Sequence, residues 1–170
     1  MKLYVMRHGP AEDTSASGSD GDRALTTAGR ERVRNVAAAL VAKDESPLTI
    51  LSSPLARALQ TAEIVAAVTK LDDRGGTLEV RREIAPGGRN YALVEQAFAA
   101  KRRRVMLVGH EPDLSLLVEE LVGRAPAQGM QKAMVVGISV SEAPAGVQGR
   151  PIATKPRFVL EPKTLTWQQD

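Results

Sequence analysis

Leu3-Tyr4-Val5-Met6-Arg7-His8-Gly9-Pro10 is the segment that decides how the chain folds. Four apolar residues in a row mark a short strand buried on both faces, the kind found inside a parallel sheet. Arg7 ends the run, and Gly9-Pro10 turns the chain sharply into a loop. Residues 11–23, rich in Ser, Asp and Gly, continue as exposed loop. Thr26 or Thr27 can then cap a helix whose apolar positions are Val33, Val36, Ala37, Leu40 and Val41. That spacing is one face of an amphipathic helix.

The same grammar repeats downstream. Residues 48–51 read as a second strand, followed by Ser52-Ser53-Pro54. A capping serine with proline at the first helical position predicts a helix there. Its buried face is Leu55, Ala58, Leu59, Ala62 and Val65. Residues 72–76 form a turn, and residues 77–84 predict a partly alternating third strand. Ala85-Pro86-Gly87-Gly88 leads into a helix with Tyr91, Val94, Ala97 and Phe98 facing inward. Residues 105–108 are a strand that ends at Gly109-His110-Glu111-Pro112. The next helix buries Leu114, Leu117, Val118 and Leu121, and Gly123 and Pro126 end it. Residues 134–140 and 158–160 read as two more strands, joined by a Pro- and Gly-rich connection over 143–156.

The order β-α-β-α-β-α-β-α-β-β predicts a three-layer α/β/α fold. Its central sheet is mostly parallel, with a closing hairpin that makes it mixed. The 170 residues suit a single domain, 1–170, with no internal repeat. A chain of this length buries about 70% of its unfolded surface. Apolar residues are 43% and charged residues 25%, globular rather than disordered usage. With one Trp, two Tyr and two Phe, the core must be aliphatic.

Composition also excludes function classes. With no cysteine there is no disulfide, thiolate zinc site or cysteine nucleophile. The only histidines are His8 and His110, 102 positions apart, which is not metal-ligand spacing. No metal and no cofactor is expected. A net charge of +3 suits phosphate better than nucleic acid, which needs a basic stripe with interleaved aromatics. The one dense basic run is Lys101-Arg102-Arg103-Arg104. It reads as a helix C-terminus, or as a docking point for an acidic or phosphorylated partner. The longest apolar run, residues 36–42, is far short of the ~20 residues that span a bilayer. The expectation is a cytoplasmic protein without membrane contact.

In open parallel sheets, ligands bind outside the carboxyl ends of the strands. That rule gathers Arg7 and His8 from the first strand, and Ser52 and Ser53 from the second with Arg57 just beyond. It adds Glu83 from the third strand, and His110 and Glu111 from the fourth. Two arginines and a helix N-terminus suit a dianion. A neutral histidine among cations can attack phosphorus, and a second can stabilise charge on an equatorial oxygen. A carboxylate can protonate the leaving group and then activate water. Each residue also has a plainer reading. A histidine at a strand end is commonly structural, Arg57 suits a helix surface, and Glu83 can pair with Arg81 or Arg82.

Taken together, the segments resemble the histidine phosphatase superfamily, also called phosphoglycerate-mutase-like. Leu3-Tyr4-Val5-Met6-Arg7-His8-Gly9 is similar to its Arg-His-Gly signature. Leu51-Ser52-Ser53-Pro54-Leu55-Ala56-Arg57-Ala58 with Gln60-Thr61-Ala62 is similar to its second segment, and Val108-Gly109-His110 to its third. The resemblance implies that His8 is phosphorylated in an intermediate, and that Arg7, Arg57, His110 and Gly9 hold the phosphoryl group. It places Glu83 where mutase-like members carry their acid/base glutamate. Only 26 residues separate Glu83 from His110, leaving no room for a lid domain. The chain therefore looks more like the compact SixA-type phosphohistidine phosphatases. Leu25-Thr26-Thr27-Ala28-Gly29 and His110-Glu111-Pro112-Asp113-Leu114 add to that likeness. The implied partner is a phosphorylated protein such as a phosphotransfer domain. The alternatives are a broad phosphomonoesterase acting on small phosphate esters such as sugar phosphates, or a non-catalytic phosphate-binding module. One departure stands out. Pro10-Ala11-Glu12-Asp13 follows the signature, where many members carry Asn, Ser or Thr.

Overall fold

The computed structural model describes residues 1–143 and 152–169. The described residues build a seven-stranded sheet in the order β3-β2-β4-β1-β5-β6-β7. The strands are β1 (Lys2–Arg7), β2 (Thr49–Ser52), β3 (Thr77–Val80), β4 (Arg104–Gly109), β5 (Val135–Glu142), β6 (Ile152–Leu160) and β7 (Trp167–Gln168). The helices are α1 (Thr27–Ala42), α2 (Ala56–Val68), α3 (Asn90–Ala99) and α4 (Asp113–Val122). Strands β1 to β4 run parallel, and β5, β6 and β7 add to the sheet antiparallel. This is the mixed three-layer fold that the alternation predicts.

Strand β1 shows why the sheet needs helices on both sides. Successive side chains point to opposite faces. Leu3 and Val5 join one core with Leu93, Val94, Leu114 and Leu117 of α3 and α4. Tyr4 and Met6 join the other with Val33, Val36, Leu40, Ala62 and Val65 of α1 and α2. All four strand residues are completely buried. Burying an aliphatic side chain of this size stabilises by roughly 1.5–3 kcal/mol, so the central strand anchors both layers.

Several local expectations are corrected. Strand β3 stops at Val80, and a 3-10 turn, Arg82–Ile84, takes over. Residue 83 therefore lies beyond the sheet rather than on it. The second helix begins at Ala56, not at Pro54. Its N-cap is Leu55, without a side-chain cap, while Ser53 Oγ accepts the Leu55 N–H at 3.3 Å. Val41 is 46% exposed, since α1 turns it away from the core. Strand β6 starts at Ile152, earlier than residue 158, because pairing with β5 extends it. Much of the connection read at 143–156 lies outside the described residues. The added strand β7 packs Trp167 on Phe158, ring centroids 4.6 Å apart. The helix ending at Gly123 is as expected, with that glycine left-handed at φ 80°.

The exit from β1 is locked against the start of α1. Thr26 caps the helix by accepting the Gly29 N–H at 2.9 Å, and its own N–H donates to the Pro10 carbonyl at 3.1 Å. A Cβ on Gly29 would lie 2.0 Å from that carbonyl oxygen. Alanine in a helix normally stabilises by about 1 kcal/mol over glycine. Here the sign reverses. Gly29→Ala is expected to lower the unfolding free energy by about 1–3 kcal/mol, because backbone must shift to admit the methyl. A urea titration against wild type checks it, and a gain in stability would refute the contact.

Candidate active site

Two histidines 102 residues apart meet because β1 and β4 are neighbours. In their register Arg7 lies opposite Gly109, and the His8 N–H donates to the Gly109 carbonyl at 3.1 Å. His8 and His110 therefore follow adjacent strand ends, with ring centroids 5.2 Å apart. On the other side of β4, the Ser53 N–H donates to Val108 at 3.0 Å and brings the β2 exit alongside.

The His8 ring has a defined tautomer. Nδ1 is 2.7 Å from the Gly9 carbonyl, which can only accept, so Nδ1 carries the proton. Arg57 Nε donates to His8 Nε2 at 3.3 Å, so Nε2 presents its lone pair. Gly9 in turn donates its N–H to Thr61 Oγ1 at 3.0 Å, and Thr61 donates to the Arg57 carbonyl at 2.7 Å. The Gln60-Thr61-Ala62 step therefore ties helix α2 to the loop that carries the ring. Gly9 is required by space: a Cβ there would lie 2.6 Å from Val33 Cγ2.

His110 Nε2 shares a 2.7 Å hydrogen bond with Ser53 Oγ, and its buried Nδ1 has no partner among the described residues. Arg7 donates through Nη1 to the Met130 carbonyl at 2.8 Å, and its buried Nε is likewise without a partner. The third such atom is Asn90 Oδ1. A buried polar atom without a partner is costly. An anion offering acceptor oxygens matches the Arg7 Nε–H, and the His110 Nδ1 when it is protonated.

The electrostatics keep both rings neutral. Burial lowers His8 to about 3, against the Gly9 hydrogen bond, and His110, Arg57 and Arg7 push the same way as burial. Burial, then Arg57, lowers His110 to about 4. Arg7 is lowered by burial, partly offset by Glu111. Glu111 is anchored by the Ser115 N–H at 3.1 Å and Oγ at 2.6 Å.

The remaining candidates separate. Arg57 is buried at 7% exposure, in the first turn of α2. Among the described residues, Glu83 makes no hydrogen bond to either histidine. Its carboxylate takes Arg81 Nη2 at 2.6 Å and Nε at 3.3 Å, and this pairing holds it below the usual carboxylate range. The basic run lies at the opposite end of the sheet. The run follows the end of α3, as the helix C-terminus reading expects: the Lys101 and Arg102 N–H groups donate to the Phe98 and Ala97 carbonyls at 2.9 and 3.1 Å, while the Arg102 and Arg104 side chains pair with Glu79 at 2.8 Å and Asp44 at 3.0 Å. All four members line a cavity of about 1180 Å³ there. Ser53 as partner of His110, Thr61 and Asp20 were not singled out from sequence for these contacts. For Thr61, its place one helical turn past Arg57 on α2 was the available signal.

A family model described as histidine phosphatase superfamily (branch 1) matches residues 3–83. An uncharacterised protein of Picosynechococcus is 38% identical over 81% of this chain and 84% of its own length. Phosphohistidine phosphatase SixA of Escherichia coli is 34% identical over 71% of this chain and 74% of its own. The chain belongs to the histidine phosphatase superfamily. As a histidine phosphatase it is a hydrolase, and it is SixA-like. A solved protein histidine phosphatase SixA complexed with tungstate superposes with a TM-score of 0.76, at 27% identity, over 98% of this chain and all of that one. Among the described residues, no helix of this phosphatase is long and apolar enough to cross a membrane.

The neutral rings have a consequence for stability. Unfolded, both histidines take up a proton below about pH 6.5. Folded, they resist it until far lower. The unfolded state binds more protons, so their contribution is full above pH 6.5 and is lost as pH falls toward 4 and 3. Urea unfolding at pH 7 and pH 5 is expected to differ by roughly 2–4 kcal/mol. His8→Gln and His110→Gln should each remove about half of that difference. A pH-independent stability across this window would show that the rings are not buried neutral.

Proposed function

We propose that this histidine phosphatase removes the phosphoryl group from phosphohistidine on a protein, through a phosphorylated His8. The observation that carries the reading is the His8 ring itself. It is neutral at physiological pH, its proton is fixed on Nδ1 by Gly9, and its Nε2 lone pair lies beside Arg57. A nucleophile toward phosphorus needs that state, and a bystander histidine does not.

The steps follow from the groups around it. Arg7 and Arg57 grip the phosphoryl oxygens, and the backbone at Gly9 lets them approach closely. With the Ser53 O–H as donor to His110 Nε2, that nitrogen is the unprotonated one. His110 Nδ1 then carries the proton and donates it in a hydrogen bond to an equatorial oxygen as charge builds there. His8 Nε2 bonds to phosphorus while the P–N bond of the substrate breaks. The departing imidazole nitrogen keeps the electron pair and takes a proton from water. Water then attacks phosphorus on His8, releases inorganic phosphate and restores the ring. Glu83, ionised against Arg81, is in the form of a base and not of a proton donor, and with its carboxylate engaged there neither step is routed through it. An imidazole leaving group makes little demand on a dedicated acid. The lack of an inserted segment between Glu83 and His110 suits a bulky protein substrate.

Incubation with a radiolabelled phosphohistidine protein, followed by rapid quench, should leave acid-labile, base-stable label on the chain. His8→Ala should abolish both label and turnover, and Arg57→Ala should reduce turnover by 10²-fold or more, the scale of one lost charge-stabilising group. Turnover should persist in a chelator. Absence of label with turnover intact would refute the covalent route. A much higher kcat/KM on sugar phosphates than on the phosphoprotein would refute the substrate.

Ser53→Ala is expected to lower kcat by roughly 10–100-fold with little change in KM, because it frees the His110 tautomer without removing the ring. Ser53→Thr should restore most of it. Equal losses in Ser53→Ala and Ser53→Thr would point to packing rather than proton placement.

A further inference from the structure

The loop of residues 11–23 carries four carboxylates, Glu12, Asp13, Asp20 and Asp22, and one cation, Arg23. One of these carboxylates reaches the phosphoryl-gripping arginine. Asp20 Oδ2 accepts from Arg57 Nη2 at 3.1 Å, and the Asp20 carbonyl accepts from Arg57 Nη1 at 2.8 Å. The remaining nitrogen, Nε, faces the nucleophile, His8 Nε2, at 3.3 Å. Every nitrogen of the guanidinium is therefore engaged. A phosphoryl group arriving at His8 Nε2 is best gripped by the Nε and Nη2 edge, the fork that takes oxyanions in a bidentate way. Asp20 holds half of that edge.

The carboxylate is held loosely enough to leave. The Asp20 side chain is 63% exposed, so it regains water as it lets go, whereas the Arg57 side chain is only 8% exposed and stays. Asp20 also keeps a second tether, since Oδ1 accepts from Arg23 Nη1 at 2.7 Å. After release, its charge remains at the rim, with Asp22 two residues away.

We propose that Asp20 is an exchangeable counter-anion of Arg57, displaced by the substrate's phosphoryl group and selecting against substrates that carry further negative charge. This rests on the phosphatase reading and sharpens its substrate class. A phosphoryl group on a carrier without other anionic groups, as on an imidazole of a protein, loses least to the tethered carboxylate. A phosphorylated carboxylic acid or a bisphosphate loses most.

Asp20→Asn and Asp20→Ala, with orthovanadate as the probe, provide the test. Asn keeps an oxygen acceptor for Arg57 but removes the charge, and Ala removes both. Both variants should bind vanadate roughly three- to tenfold more tightly than wild type, the scale of one partly exposed ion pair. Their gain in kcat/KM should be larger on 3-phosphoglycerate than on phenyl phosphate. Unchanged or weaker vanadate binding by Asp20→Asn would overturn the proposal. So would weaker binding by Asp20→Ala alone, which would make Asp20 only a loop anchor. A large loss of kcat on phenyl phosphate in both variants would overturn it too, by making Asp20 a proton donor. If wild type takes no label at His8 and binds no vanadate, the phosphatase reading falls and this proposal with it. If wild type does both and Asp20→Asn matches it, only this proposal falls.

Discussion

The pairing of β1 with β4 is the constraint on which the rest of the structure depends. Six residue pairs run in parallel from Lys2 opposite Arg104 to Arg7 opposite Gly109. Both strands are buried on both faces, so the register cannot drift. A slip of one residue would send Leu3 and Val5 into the core that Tyr4 and Met6 fill, and the reverse. Because the register is held by packing, the residues just past the strand ends are held too. His8 and His110 come together as a consequence of aliphatic burial, not through any attraction between them.

Burial then sets the chemistry. The two rings are nearly sealed from water, and cations from Arg7 and Arg57 lie beside them. Both effects penalise a protonated imidazole. The same surroundings favour an incoming dianion, because it satisfies buried donors and neutralises the arginines. One arrangement therefore disfavours protons on the His8 ring and favours an anion next to it. The acidic loop balances that cationic floor from outside, with Asp20 and Arg23 in mutual contact over Arg57.

Much of this was legible along the chain. Strands β1, β2 and β4 each announced themselves by an apolar run with a polar or Gly/Pro break, and the carboxyl-end rule selected Arg7, His8, Arg57 and His110 among its candidates. These signals are local, so a linear reading can find them. Other features were not legible. Residue 83 follows a strand that ends four residues early, and its carboxylate lies against Arg81. The choice between an ion pair and a site contact depends on a turn of backbone. Strand β7 is two residues long and gains its place only by pairing with β6. Asp20 sits in a polar stretch with no periodicity, and nothing in its neighbours marks it as the partner of an arginine 37 positions away.

The sequence by itself determined the layer architecture, the absence of thiol chemistry and the identity of the two histidines available for catalysis. Periodicity and composition are properties of neighbouring residues, so order along the chain suffices for them. Only the tertiary structure decided which nitrogen of His8 is free, that Ser53 contacts His110, and that Asp20 rather than Glu83 touches Arg57. Those are directional contacts of about 3 Å between residues far apart in the chain. Their geometry is set by how strands stack and where loops turn, and a hydrogen bond fails when that placement is off by an ångström.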